Sequence, residues 1–142
     1  MAIDGKSVCG AREGKKHPLH IVSAWASEQS LLLAQVRTAD KSNEITAIPE
    51  LLKLLSIQGC IVTIDAMGCQ KSITKSIVAS QADYVLSLKA NHRHLYLGTT
   101  NWFAAMQEVS FAGQARSHYV EESDKSSHGR LVHRQYWVTA VP

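Results

Sequence analysis

An α/β chain on one mixed sheet is what this sequence predicts, with three antiparallel strands first, then parallel strands with crossing helices. Three strand-like runs precede the first helical stretch, which excludes a simple βαβαβ doubly wound order. Two later runs, Cys60–Ile64 and Tyr84–Leu88, are continuously apolar, in the manner of parallel strands buried on both faces. Each follows a stretch whose apolar residues recur at helical spacing.

In chain order, Met1–Asp4 reads as the end of a strand closing on Asp4-Gly5, and residues 5–16 read as a Gly-containing, mixed-charge loop. His20–Trp25 and Leu31–Thr38 are strand-like, and the short gap Ala26–Ser30 between them suits an antiparallel hairpin. Ser42-Asn43 opens a helix whose apolar stripe is Ile45, Ile48, Leu51, Leu52 and Leu55. Pro49 predicts a second helix start there, and Gly59 ends the stretch. After strand Cys60–Ile64 and the turn Asp65-Ala66-Met67-Gly68, a helix over Gln70–Gln81 places Ile73, Ile77 and Val78 on one face. Tyr84–Leu88 closes on Lys89-Ala90-Asn91, and residues 92–108 are helix-compatible, with Leu95, Trp102, Phe103 and Met106 as core candidates. Ser117–Glu122 and Leu131–Val138 read as strands flanking a polar turn, Ser123–Gly129.

Composition narrows the function classes. With 142 residues, 45% hydrophobic and 19% charged, the chain has material for one core and is too apolar for disorder. A net charge of +3 excludes a histone-like polycation and leaves a nucleic-acid partner open. No apolar run reaches the roughly 18–20 residues of a membrane span, and the first residues lack a secretory apolar region. Three cysteines without a CxxC pair argue against a disulfide scaffold or a Cys-rich zinc site, so a cytoplasmic protein is expected.

The chemistry concentrates at Asp4 and Asp65, each following an apolar run and preceding a small residue. Ligands of open α/β sheets bind outside the carboxyl ends of strands, at a topological switch point. If the two strands are neighbours, about 4.8 Å apart, the carboxylates face one crevice and repel unless a divalent cation joins them. A pair of metals there can activate a water or a 3′-hydroxyl and stabilise the leaving oxygen. Asp-Gly after a strand is also ordinary turn chemistry, so neither aspartate alone decides the matter.

Longer runs carry a resemblance. Lys41–Leu52 (KSNEITAIPELL) and Gly59–Gln70 (GCIVTIDAMGCQ) resemble the DDE transposases of the ISAs type, which include the H-repeat-associated proteins of bacterial genomes. Ile3-Asp4-Gly5-Lys6, His20–Trp25, Ala82–Leu86 and His128-Gly129-Arg130 are similar as well, so the likeness covers essentially the whole chain. It implies a ribonuclease-H-like fold that cuts and joins DNA, with two Asp and one Glu around Mg²⁺ (or Mn²⁺), two ions in the family. Asp4 matches the first acid and Asp65 the second. Residues 1–110 then form a partial catalytic core and residues 111–142 the start of an inserted β-hairpin region. The implied partners are insertion-sequence ends and target DNA, with homo-oligomers in the full-length family and no membrane.

Departures accompany the likeness. The family's third acid, a Glu in a His-Trp-x-x-Glu-Asn-like context, has no match, and only three residues precede Asp4. Cys9 stands where the family has Arg, Ala90-Asn91-His92 replaces a Gly-Asn-Gln-like turn, and Val132 fills an often acidic place. Glu121, Glu122 and Asp124 read as a solvated acidic edge rather than a substitute acid. The expectation is a transposase fragment truncated at both ends and inactive alone. Lys6, Arg12, Lys15, Lys16 and Lys89 are candidate DNA-backbone contacts, with a solvated loop as the alternative for the first four. Two other readings compete: a phospho-receiver, built on Asp4, Asp65 and Lys89, and a non-catalytic DNA-binding remnant. The His17/His20, His92/His94 and His128/His133 pairs lack zinc spacing with partner ligands, and Cys60 and Cys69 lack a nucleophile's neighbours. Trp25 and Trp102 read as core.

Overall fold

The computed structural model of the chain describes residues 1–8, 19–38, 44–113, 118–125 and 131–139. Its first compact unit is Met1–Tyr96 and its second Leu97–Pro142.

In the first unit, β1 (Ala2–Ser7), β2 (His20–Ala26) and β3 (Leu31–Thr38) are followed by α1 (Glu44–Lys53), β4 (Ile61–Ile64), α2 (Lys71–Ala79) and β5 (Asp83–Leu86). The strands form one sheet in the order β3-β2-β1-β4-β5. β1, β2 and β3 pair antiparallel, and β4 lies parallel to both β1 and β5. This is the ribonuclease-H-like arrangement that the sequence predicted. The β2–β3 hairpin turns at residues 27–30, and a register shift at Ala24/Trp25 marks a bulge.

The core lies on one face of the sheet. Ile3, Val22, Ala24, Val62 and Ile64 point there by strand alternation and meet Ile48, Leu51 and Leu52 of α1 and Ile73 and Ile77 of α2. β4 and β5 were expected to be buried on both faces, but Ile61 is 55% and Val85 60% exposed. Both crossing helices join the core beside Val62 and Ile64, which leaves strand residues of opposite parity in solvent. Trp25, expected in the core, is 42% exposed on that open side for the same reason. Val78 is likewise exposed although it was grouped with Ile73 and Ile77.

α1 runs unbroken through Pro49, where a second start was expected. A proline there forfeits one i→i−4 bond in a helix whose buried residues, Ala47, Ile48, Leu51 and Leu52, hold it to the core. α1 ends at Lys53, so Leu55 lies beyond it and still packs partly against the core. The boundary between the units falls inside α3 (Arg93–Glu108), which buries no residue. Leu95, expected in the core, is exposed; Trp102, Phe103 and Met106 are half-buried. In the second unit the Trp102 ring meets those of Phe103 and Phe111 edge-on, with centroids 5.0 and 6.4 Å away.

β6 (His118–Lys125) and β7 (Leu131–Val138) make a separate antiparallel ribbon. β6 runs further than expected, pairing Ser123, Asp124 and Lys125 with His133, Val132 and Leu131. Backbone ladder bonds need no apolar side chains, so the polar stretch continues the strand. Among the described residues no helix is long and apolar enough to cross a membrane.

Candidate active site

Asp4 lies within β1, not at its end: Gly5, Lys6 and Ser7 continue the strand opposite Val22, Ile21 and His20. The turn expected at Asp4-Gly5 is therefore absent. Asp65 directly follows β4. The last β1–β4 partners are Ala2↔Thr63 and Ile3↔Ile64, so Asp4 and Asp65 are the next residues on adjacent parallel strands. Ile3 and Ile64 point into the core, and alternation turns both aspartates to the open face, where both are exposed. The chain leaves β1 toward β2 on one side and reaches β5 from β4 on the other. The pair thus occupies the topological switch point where α/β sheets bind ligands.

Local contacts hold each acid. Asp65 caps the short 3₁₀ turn Ala66–Gly68, its Oδ1 accepting from the Met67 N–H at 3.0 Å. Asp65→Asn keeps that acceptor, whereas Asp65→Ala is expected to lower stability by about 1 kcal/mol in chemical denaturation. Gly68 ends the turn against the core, where a Cβ would fall 3.0 Å from Ile64 Cβ and nearer still to its Cγ2. From the turn after β5, the Asn91 side chain donates to the Ala66 carbonyl at 2.8 Å, tying the two loops together. On the Asp4 side, Lys6 Nζ lies 3.9 Å from Asp4 Oδ2, an exposed pair of little energetic weight.

Two carboxylates on neighbouring strands supply hard oxygen ligands of the kind Mg²⁺ and Mn²⁺ accept, so the donors fit those ions. Among the described residues no group of three His, Cys, Asp or Glu is placed to hold a metal. Lys6 and Lys89 are exposed, Lys89 at the start of the turn after β5. Arg12, Lys15, Lys16 and Cys9 lie outside the described residues, as do His17 and His128. Glu121 and Glu122 lie in β6 as expected, and Asp124, expected in the turn, belongs to that strand as well.

The family of the profile described as Transposase DDE domain matches residues 1–137. The chain belongs to that family. It is 41% identical over 143 residues to YncI, a proposed transposase of Escherichia coli (strain K12), covering 99% of this chain and 56% of YncI. It is 38% identical over 144 residues to the H repeat-associated proposed transposase YbfD of the same strain, covering 100% of this chain and 55% of YbfD. An uncharacterized protein of the dhlA 3′ region of Xanthobacter autotrophicus is 39% identical over 139 residues, which cover 97% of this chain and 45% of that protein. The chain thus spans about half the length of these relatives. A cryo-EM structure of the piggyBac transposase synaptic complex with hairpin DNA aligns with 93% of this chain and 31% of its own, at 13% identity and a TM-score of 0.49.

Topology excludes the receiver reading: receivers carry a parallel sheet ordered 2-1-3-4-5, and here β1, β2 and β3 are antiparallel. Gly68 and Asn91 were not singled out from the sequence for these roles, and neither were Gly5 and Glu44 behind Asp4, where a Cβ at Gly5 would meet the carboxyl of Glu44, itself bonded to His20. The glycines had a readable signal, one directly after Asp4 and one three residues after Asp65. Glu44 had none, because its partner His20 is distant along the chain.

Proposed function

We propose that this chain carries the first two acids, Asp4 and Asp65, of a transposase site that holds Mg²⁺ or Mn²⁺ for cleavage and strand transfer of insertion-sequence DNA. The observation that supports it best is the convergence of both aspartates on one open face at the β1–β4 switch point. Bound there, divalent ions supply Lewis-acid stabilisation of the transferring phosphate and lower the pKa of an attacking water. The chain's own part is to fix two carboxylates on rigid neighbouring strands, so that charge is preorganised where phosphoryl transfer develops it. Lys6 and Lys89 serve as DNA-backbone contacts, and Arg12, Lys15 and Lys16 are candidates for the same role. Residues 1–110 act as part of the catalytic core and residues 111–142 as part of an inserted β-region.

Thermal unfolding with increasing Mn²⁺ tests the site. Binding to the folded state alone raises stability by about 2.7 kcal/mol at 100 times the dissociation constant. The midpoint of the wild-type chain is expected to rise with Mn²⁺, and Asp4→Asn and Asp65→Asn each to abolish the rise. An Asp65→Asn variant that responds like the wild type would sink the reading.

A further inference from the structure

Behind the two acids, on the core side of the sheet, lies a polar chain that metal binding does not use, buried at His20 and Glu44 and exposed at Ser7. His20 is 2% and Glu44 5% exposed, and they meet through Nε2 and Oε1 at 2.5 Å. The other ring nitrogen, Nδ1, lies 3.1 Å from Ser7 Oγ. Nε2 faces the Glu44 carboxyl and Nδ1 the Ser7 hydroxyl, so the tautomer protonated at Nε2 donates to the carboxylate and accepts from Ser7. Three elements are joined in this way: β1 through Ser7, β2 through His20 and the first turn of α1 through Glu44. Among the described residues no buried side-chain polar atom lacks a partner.

The chain presses on the backbone that carries Asp4. Ile3 and Gly5 lie on the core side of β1, Ser7 reaches the His20 ring from the exposed end of the strand, and Asp4 and Lys6 face outward. A Cβ at Gly5 would stand 2.9 Å from His20 Nε2 and 2.6 Å from Glu44 Cδ, so the imidazole–carboxyl contact sits directly against the Gly5 backbone. Register follows from this. A one-residue slip of β1 exchanges its two faces and would drive the Asp4 carboxylate inward toward that of Glu44. Like charges in a poorly solvated site, with the glycine gap lost as well, make that slip costly.

We propose that Ser7, His20 and Glu44 act as positioning residues for Asp4, locking β1 in the register that sets its carboxylate beside Asp65. The proposal rests on the reading of Asp4 and Asp65 as metal ligands. It differs from a merely structural role in one consequence: disrupting the chain weakens metal binding beyond what an equal loss of stability elsewhere does.

The test uses the full 142-residue chain and Mn²⁺ alone. Affinity is read well below each variant's unfolding midpoint, from paramagnetic broadening of the Asp4 and Asp65 carboxyl ¹³C signals. Glu44→Ala and His20→Ala are expected to lower the affinity about 10- to 100-fold, as losses of supporting hydrogen bonds behind metal ligands do. Glu44→Gln, which keeps the acceptor oxygen, restores most of it. Ile77→Ala, a core truncation in α2, leaves the affinity near the wild-type value. If the alanine variants at 20 and 44 bind like Ile77→Ala, the proposal is overturned while the two-acid site stands. Should those two variants fail to fold, Ser7→Ala carries the test, with a loss of about threefold or more expected and no change overturning the proposal. A wild-type chain whose two carboxyl signals do not broaden together removes the metal site and this proposal with it.

Discussion

Gly5→Ala is expected to lower the thermal midpoint by roughly 10 °C or to abolish a cooperative transition. The added methyl has no room, because the Glu44 carboxyl and the His20 ring occupy its place. Overpacking alone costs about 1–3 kcal/mol. Here the yielding atoms are a buried hydrogen-bonded pair, and leaving its groups unpaired costs about 1–3 kcal/mol more. Backbone conformation is not the cause: Gly5 is not among the glycines with positive φ, unlike Gly59 at +74°. A calorimetric scan decides it, and a Gly5→Ala midpoint within about 2 °C of the wild type would refute the packing account.

That glycine marks where reading the sequence stopped short. Strand-like apolar runs and helical spacing located the five strands and both crossing helices of the first unit, because those patterns record which segments contribute to the core. Leu31–Thr38 emerges with the bounds read from its residues. The pairing of β1 with β4 was the condition set on Asp4 and Asp65, and the register meets it. Asp4-Gly5, however, carries two meanings in a sequence, a turn or a close approach, and only the third dimension separates them. The exposed Ile61 and Val85 were misread for a related reason. An apolar β-branched run records strand propensity as well as burial, and α1 and α2 join the core on one face of the sheet. The contact of His20 with Glu44 was not legible, since partners 24 residues apart leave no local pattern.

Ile77→Ala is expected to destabilise the chain by about 2–5 kcal/mol in chemical denaturation, and Val78→Ala by no more than a few tenths. The two residues are neighbours on α2 with similar side chains, yet Ile77 is wholly buried and Val78 is 59% exposed. The large value reflects lost burial plus a cavity that Ile48, Leu51, Val62 and Ile73 cannot close without shifting. The contrast also bears on the site. If the core lies only beneath α1 and α2, the face that carries Asp4 and Asp65 contributes little to stability and stays free to bring charges together. Exposed Val85 supplies the matching control on that open face: Val85→Thr should change the denaturation midpoint by no more than Val78→Ala does. A Val85→Thr cost approaching that of Ile77→Ala would mean that the acid-bearing face is packed in solution, and the open-site geometry would have to be abandoned.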